Sequence, residues 1–120
     1  MKRERQMKLK NEVIYELQAE LCGALAHPVR LKILDLLGEK ELNIGEIQGE
    51  LGISGPNLTQ HLNVLKKAGL LHARKAGVFQ FCSLAIPQVR SACQVMSKVL
   101  EAKLLKTDAA ARSLRSEMQG

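Results

Sequence analysis

The sequence predicts a mainly helical domain carrying one small β-hairpin, and three observations lead there. Aromatic residues make up only 2% of a chain that is 46% hydrophobic, so its core is aliphatic, built from Leu and Ala, and these favour helix over a large sheet. Apolar residues recur at spacings of three and four along most of the chain, the period of helices with one buried face. One stretch breaks that period: two short runs around Ala76-Gly77, the second holding both Phe residues, read as strands joined at a glycine turn. At 120 residues with 25% charged side chains, the chain has the size and composition of one globular domain.

The elements follow in order. In the first helix, up to about residue 22, Ile14, Leu17, Leu21 and the following Leu25 share a face, while Glu12, Glu16 and Glu20 take the others. His27-Pro28 interrupts it, and Pro28 suits the opening of a second helix because a first-turn N–H has no intrahelical partner. That helix covers 28–37, with Val29, Leu31, Ile33, Leu34 and Leu37 as buried positions and Gly38 at the left-handed cap. A short third helix, 44–51, has Asn43 as N-cap and Gly52 as its stop. Ile53-Ser54-Gly55 then leads into a fourth helix, 56–68, with the stripe Leu58, Leu62 and Leu65 and its end at Gly69. Two short helices across so tight a turn have the helix-turn-helix shape.

The hairpin strands are placed at 70–75 and 78–84. After Ala85-Ile86-Pro87 a fifth helix carries Val89, Cys93, Met96, Leu100 and Leu104 on one stripe, widened by Ala92, Val95 and Val99. The apolar faces of the first and fifth helices exceed what a small domain covers alone, so a homodimer through these two helices is expected. Residues 107–120 are polar and rich in Ala, Ser and Arg, a composition open to a frayed helix or a mobile tail. The organisation is therefore a basic segment and the start of helix one at 1–19, the helix-turn-helix with its hairpin and dimerising helix at 20–105, and a tail at 106–120.

Lys and Arg number 18 against 12 Asp and Glu, a formal charge of +6. The excess favours a polyanionic partner, nucleic acid ahead of anionic lipid. No stretch approaches the roughly 18 consecutive apolar residues of a membrane span. The basic start (Lys2, Arg3, Arg5, Lys8, Lys10) runs into Asn11-Glu12 and Glu16 where a signal peptide has its apolar core. Glu4, Glu12, Glu16 and Glu20 dilute helix one as a membrane-surface element. Three cysteines are too few for a disulfide scaffold, and a cytoplasmic protein is expected.

With Leu58, Leu62 and Leu65 turned inward, helix four distributes Asn57, Thr59, Gln60, His61, Asn63 and Lys67 over its remaining surface. Asn and Gln bond an adenine edge at two points and Thr meets a base edge or a thymine methyl, so this helix has the chemistry of a major-groove reader. Ser54 and Gly55 stand at its start, where a small residue and the positive helix end admit a phosphate. Arg74 and Lys75 on the hairpin reach toward the backbone or the minor groove. A protein-interaction or RNA-binding module would lack such groove-reading side chains. An enzyme has little to work with: Cys22 and His27 are the only nearby nucleophile and base, with no phosphate loop and no paired acids.

The string Ala26-His27-Pro28-Val29-Arg30-Leu31-Lys32-Ile33-Leu34, followed by Leu58-Thr59-Gln60-His61-Leu62-Asn63-Val64-Leu65-Lys66-Lys67-Ala68-Gly69-Leu70-Leu71, closely resembles the ArsR/SmtB family of bacterial winged-helix repressors. Ala73-Arg74-Lys75-Ala76-Gly77 and Phe81-Cys82-Ser83-Leu84 extend the resemblance through the wing, over residues 20–105. It implies a homodimer that represses an operator in double-stranded DNA and leaves it when a metal, metalloid or oxidant is sensed. At the matching family position, a partly buried His61 is as good a reading as base contact. Gly55-Pro56-Asn57 departs from the family's usual Ser/Thr/Gln-rich turn, which leaves the operator sequence open.

The family's sensor sites transfer poorly. Its thiolate pattern before and within helix three falls on 41–48, which holds no cysteine, and its zinc pattern on helix five falls on 87–106, which holds no histidine. Cys22, Cys82 and Cys93 remain. The resemblance puts Cys22 and Cys93 on helices that pack at the dimer interface and Cys82 at the base of the wing. Three thiolates suit arsenite or another thiophilic ion, and a pair suits persulfide or an oxidant. Cysteine is equally at home as a small buried hydrophobe, so a repressor without thiol or metal sensing stands as the alternative. No cofactor is required for DNA binding.

Overall fold

The computed structural model describes residues 11–38, 40–106 and 108–119, and it divides after residue 86 into two compact units. In the first, α1 (Glu12–Leu25) is capped by Asn11, whose side chain accepts from the Ile14 N–H at 3.0 Å. The expected helix before residue 11 lies outside the described residues. α2 (Pro28–Leu36) follows at once, its N-cap being His27, whose Nδ1 accepts from the Val29 N–H at 3.1 Å.

Strand β1 (Leu42–Asn43) precedes α3 (Ile44–Leu51). Asn43 and Glu46 close a reciprocal capping box, each side chain accepting from the other's backbone N–H at 2.8 and 2.9 Å. Gly52, at φ 63°, ends α3 in the left-handed region where a side chain would be strained. α4 (Gly55–Lys67) starts from Ser54, whose hydroxyl accepts from the Asn57 N–H at 3.3 Å.

β2 (Leu71–Ala76) and β3 (Phe79–Leu84) form the antiparallel hairpin. Its two-residue turn is Gly77-Val78, one residue later than the spacing suggests. Gly77 takes φ 62° at the position where primed hairpin turns favour glycine. The sheet has a third strand that the sequence reading lacks: β1 pairs with β3, Leu42 opposite Cys82 and Asn43 opposite Phe81, in the order β1-β3-β2.

The core beneath is aliphatic, as the composition requires. Ile33, Leu34 and Leu37 from the α2 end, Ile47 from α3, and Leu58, Leu62 and Leu65 from α4 are all at most 1% exposed. Leu31 departs from expectation at 45% exposed. At 3.6 residues per turn it lies off the stripe that carries Ile33, Leu34 and Leu37 inward. Val29 is half-buried.

The second unit holds α5 (Gln88–Leu104) and α6 (Asp108–Gln119). Residues 108–119, for which the composition leaves helix and tail open, are thus helical. The α5 stripe is largely exposed, with Val95, Met96, Val99 and Leu100 all above half their full accessibility. No helix among the described residues is long and apolar enough to cross a membrane.

Candidate nucleic-acid interface

Helix α4 has two faces with opposite chemistry. Leu58, Leu62 and Leu65 anchor it in the core, and around the axis Thr59, Gln60, Asn63 and Lys67 form an exposed stripe at spacings of one, three and four. Asn57 and Pro56 are exposed at its start, beside the exposed Ser54 and half-buried Gly55. The amides and hydroxyl of this stripe therefore meet solvent on a rigid helix, a favourable state for contacting the edges of bases. Lys66 and Lys67 occupy the last turn, where they also complement the negative end of the helix.

His61 does not belong to that stripe. It is 9% exposed, three residues from Leu58 and four from Leu65, and so shares the inner side of the helix. Its Nδ1 lies 3.2 Å from Nη1 of Arg30, and its ring centroid is 4.3 Å from that of His27. Burial, with His27 and Arg30 alongside, pushes its pKa below the ordinary imidazole value. It supports the helix from behind, in line with the partly buried alternative.

On the wing, Arg74 and Lys75 differ. Lys75 is exposed. Arg74 forms a two-point pair with Glu41, Nε to Oε2 at 2.8 Å and Nη2 to Oε1 at 2.6 Å, and its guanidinium lies 4.7 Å from the Phe81 ring centroid. This pairing holds the Glu41 carboxyl below its ordinary value and the guanidinium above its own. Arg74 thus braces the wing against the segment before β1, and a phosphate would have to compete with Glu41 for it. Neither the Glu41–Arg74 pair nor the Arg30–His61 contact can be read from the sequence, because the partners stand 33 and 31 residues apart.

The cysteines are dispersed in character. Cys22 is exposed and Cys93 half-buried. Cys82 is fully buried at the centre of the sheet, and that burial pushes its thiol pKa up, away from the reactive thiolate. Among the described residues no group of three or more His, Cys, Asp or Glu side chains is placed to hold a metal ion.

Residues 25–74 match the family described as helix-turn-helix domain. A transcriptional regulator of helix-turn-helix type from Mycobacterium tuberculosis, Rv0081, is 37% identical over 109 residues, 90% of this chain and 96% of the relative. Its crystal structure superposes with a TM-score of 0.69 at 39% identity, over 80% of this chain and 96% of that one. The transcriptional repressor BigR from Xylella fastidiosa gives a TM-score of 0.65 at 32% identity, covering 82% of this chain and 96% of that chain. A Mycobacterium bovis domain, Mb0332, described as a homodimeric winged helix-turn-helix DNA-binding domain and a possible ArsR-family regulator, gives 0.70 at 26% identity over 83% of this chain and 95% of its own.

Proposed function

Because the chain belongs to the winged helix-turn-helix transcriptional regulators, we propose that it is a sequence-specific repressor of the ArsR type, acting as a homodimer on an operator in the cytoplasm. The observation that carries this reading is the exposed Thr59-Gln60-Asn63-Lys67 stripe, set on a helix whose opposite side is locked in the core. Asn57, Thr59, Gln60 and Asn63 read base edges, Lys67 and Lys75 meet phosphates, and Ser54 with Gly55 lets the backbone come close at the start of α4. Arg74 contributes by fixing the wing, and His61 by holding α4 from behind.

Two apolar surfaces favour the dimer: Val13, Leu17 and Leu21 on α1, at four-residue spacing, and Val95, Met96, Val99 and Leu100 on α5, all exposed in the single chain. A second copy covers them in this reading, as the homodimeric Mb0332 supports. Two subunits then present two α4 helices to an inverted repeat.

For the inducer, Cys22 and Cys93 are the candidate thiols, and the buried Cys82 belongs to the core. Oxidation of these thiols by persulfide or another oxidant, or their ligation of arsenite, would change the angle between subunits and so move the two α4 helices off their half-sites. The test is a mobility shift on the DNA upstream of the protein's own coding sequence, against random duplex of equal length, repeated with persulfide and arsenite. A retarded band on the upstream fragment alone supports the repressor reading. Release from the parent but not from Cys22→Ser or Cys93→Ser supports the switch, and release from all three alike contradicts it.

A further inference from the structure

Arg30 in α2 reaches two other helices at once. Its Nε donates to the Ala24 carbonyl at 2.7 Å and its Nη2 to the Gly23 carbonyl at 3.5 Å, both in the closing turn of α1. Its Nη1 points the other way and lies 3.2 Å from Nδ1 of His61 in α4. A guanidinium has donors only, so Nδ1 of His61 is the acceptor and its ring is neutral, with the proton on Nε2. The neighbouring His27 ring is oriented likewise, its Nδ1 accepting from the Val29 N–H. The ring contact between His27 and His61 at 4.3 Å completes a junction of three helices around one guanidinium.

His61 is the one buried polar residue of the first unit among the described residues. The leucines beside it hold α4 through hydrophobic burial, a driving force that is itself non-directional. The Arg30 contact adds direction, since a hydrogen bond weakens steeply when its angle is lost. A small rotation of α4 about its axis would break that contact and would swing Gln60 and Asn63 away from any base they meet.

We infer that Arg30 and His61 are positioning residues for DNA reading: they tie α4 to the end of α1 and set the rotation at which Thr59, Gln60 and Asn63 face outward. The inference rests on the DNA-binding reading and adds to it a requirement behind the helix, at residues that touch no nucleic acid. A residue that merely fills the core would affect stability alone. A positioning residue affects the preference for operator over random DNA beyond any change in stability.

The variants are His61→Leu, which fills the space without an acceptor, and His61→Asn, whose Oδ1 stands close to where Nδ1 was. Both are measured with the full-length protein on the upstream operator fragment and on shuffled duplex, with a thermal melt alongside. His61→Leu is expected to lose roughly tenfold or more on the operator, the scale of one misaligned base-edge contact, while binding shuffled DNA within about twofold of the parent. His61→Asn is expected to recover most of the loss. Equal operator binding by parent and His61→Leu, or equal losses on both duplexes, overturns the inference, whereas a parent with no operator preference overturns the DNA reading itself. Independently of folding in the variants, nitrogen-15 spectra of the parent are expected to show His61 protonated at Nε2 and bare at Nδ1. A proton on Nδ1 would remove the Arg30 contact and the inference with it.

Discussion

Replacing Gln60 with Ala isolates base reading from folding. Gln60 is exposed in the middle of α4, and Ala is at least as good a helix former, so stability is expected to stay within about 0.5 kcal/mol of the parent. A side-chain amide bonded at two points to an adenine contributes about 1–3 kcal/mol of discrimination. A dimer makes that contact twice, so the loss on the operator is about 2–6 kcal/mol, which at roughly 1.4 kcal/mol per decade is about 30-fold even at its lower end. Fluorescence anisotropy with a labelled operator duplex and a shuffled duplex, at one fixed salt concentration, reads both affinities. The operator affinity falls by that factor and the shuffled affinity holds. Equal losses on both duplexes, or none on the operator, would refute base reading by this face.

Other perturbations separate the remaining parts of the account. Lys75→Ala is expected to weaken operator and random DNA alike and to lower the slope of log affinity against log salt by about one per subunit, as loss of one phosphate contact does. Leu62→Ala, at a position 1% exposed, is expected to cost about 2–5 kcal/mol in denaturant unfolding. Leu17→Asp, at a position 55% exposed in the single chain, is expected to leave a folded monomer by sedimentation, and an intact dimer would redirect the interface elsewhere. The depressed pKa of His61 means that the unfolded chain takes up its proton first as pH falls below the ordinary value of 6.5. The stability from its neutral form is therefore full above that pH and is lost as pH falls through the folded value, and chemical unfolding at pH 7.5 and 5.5 should show the loss shrink in His61→Leu.

The helices were largely legible because each carries its own signals. Asn43 as a cap and Gly52 as a stop can be read from neighbours three residues away, and the structure adds only Glu46 as the other half of the capping box. β1 could not be read: Leu42-Asn43 is too short for any period, and its partners Cys82 and Phe81 are distant in sequence. The exposure of Leu31 shows the limit of counting apolar residues without their angle. His61 sits in the polar run Thr59-Gln60-His61, where the sequence leaves surface and partial burial equally open; its spacing from Leu58 and Leu65 places it inside, a signal that helical geometry alone contains. Arg74 read as a free wing cation because nothing local announces Glu41, which the fold delivers from before β1.

Selection of bound sequences from a pool of randomised duplex DNA reads the protein's own preference, since it assumes no target. Repeated rounds with the full-length protein are expected to enrich an inverted repeat whose half-sites are centred about one helical turn apart, roughly 10–10.5 base pairs or a multiple, as two α4 helices on a twofold axis require. The Gln60→Ala protein should then lose the preference at one position in each half-site. A pool that stays random after the same rounds, or that converges on a single site without a repeat, would contradict a dimeric operator-binding repressor.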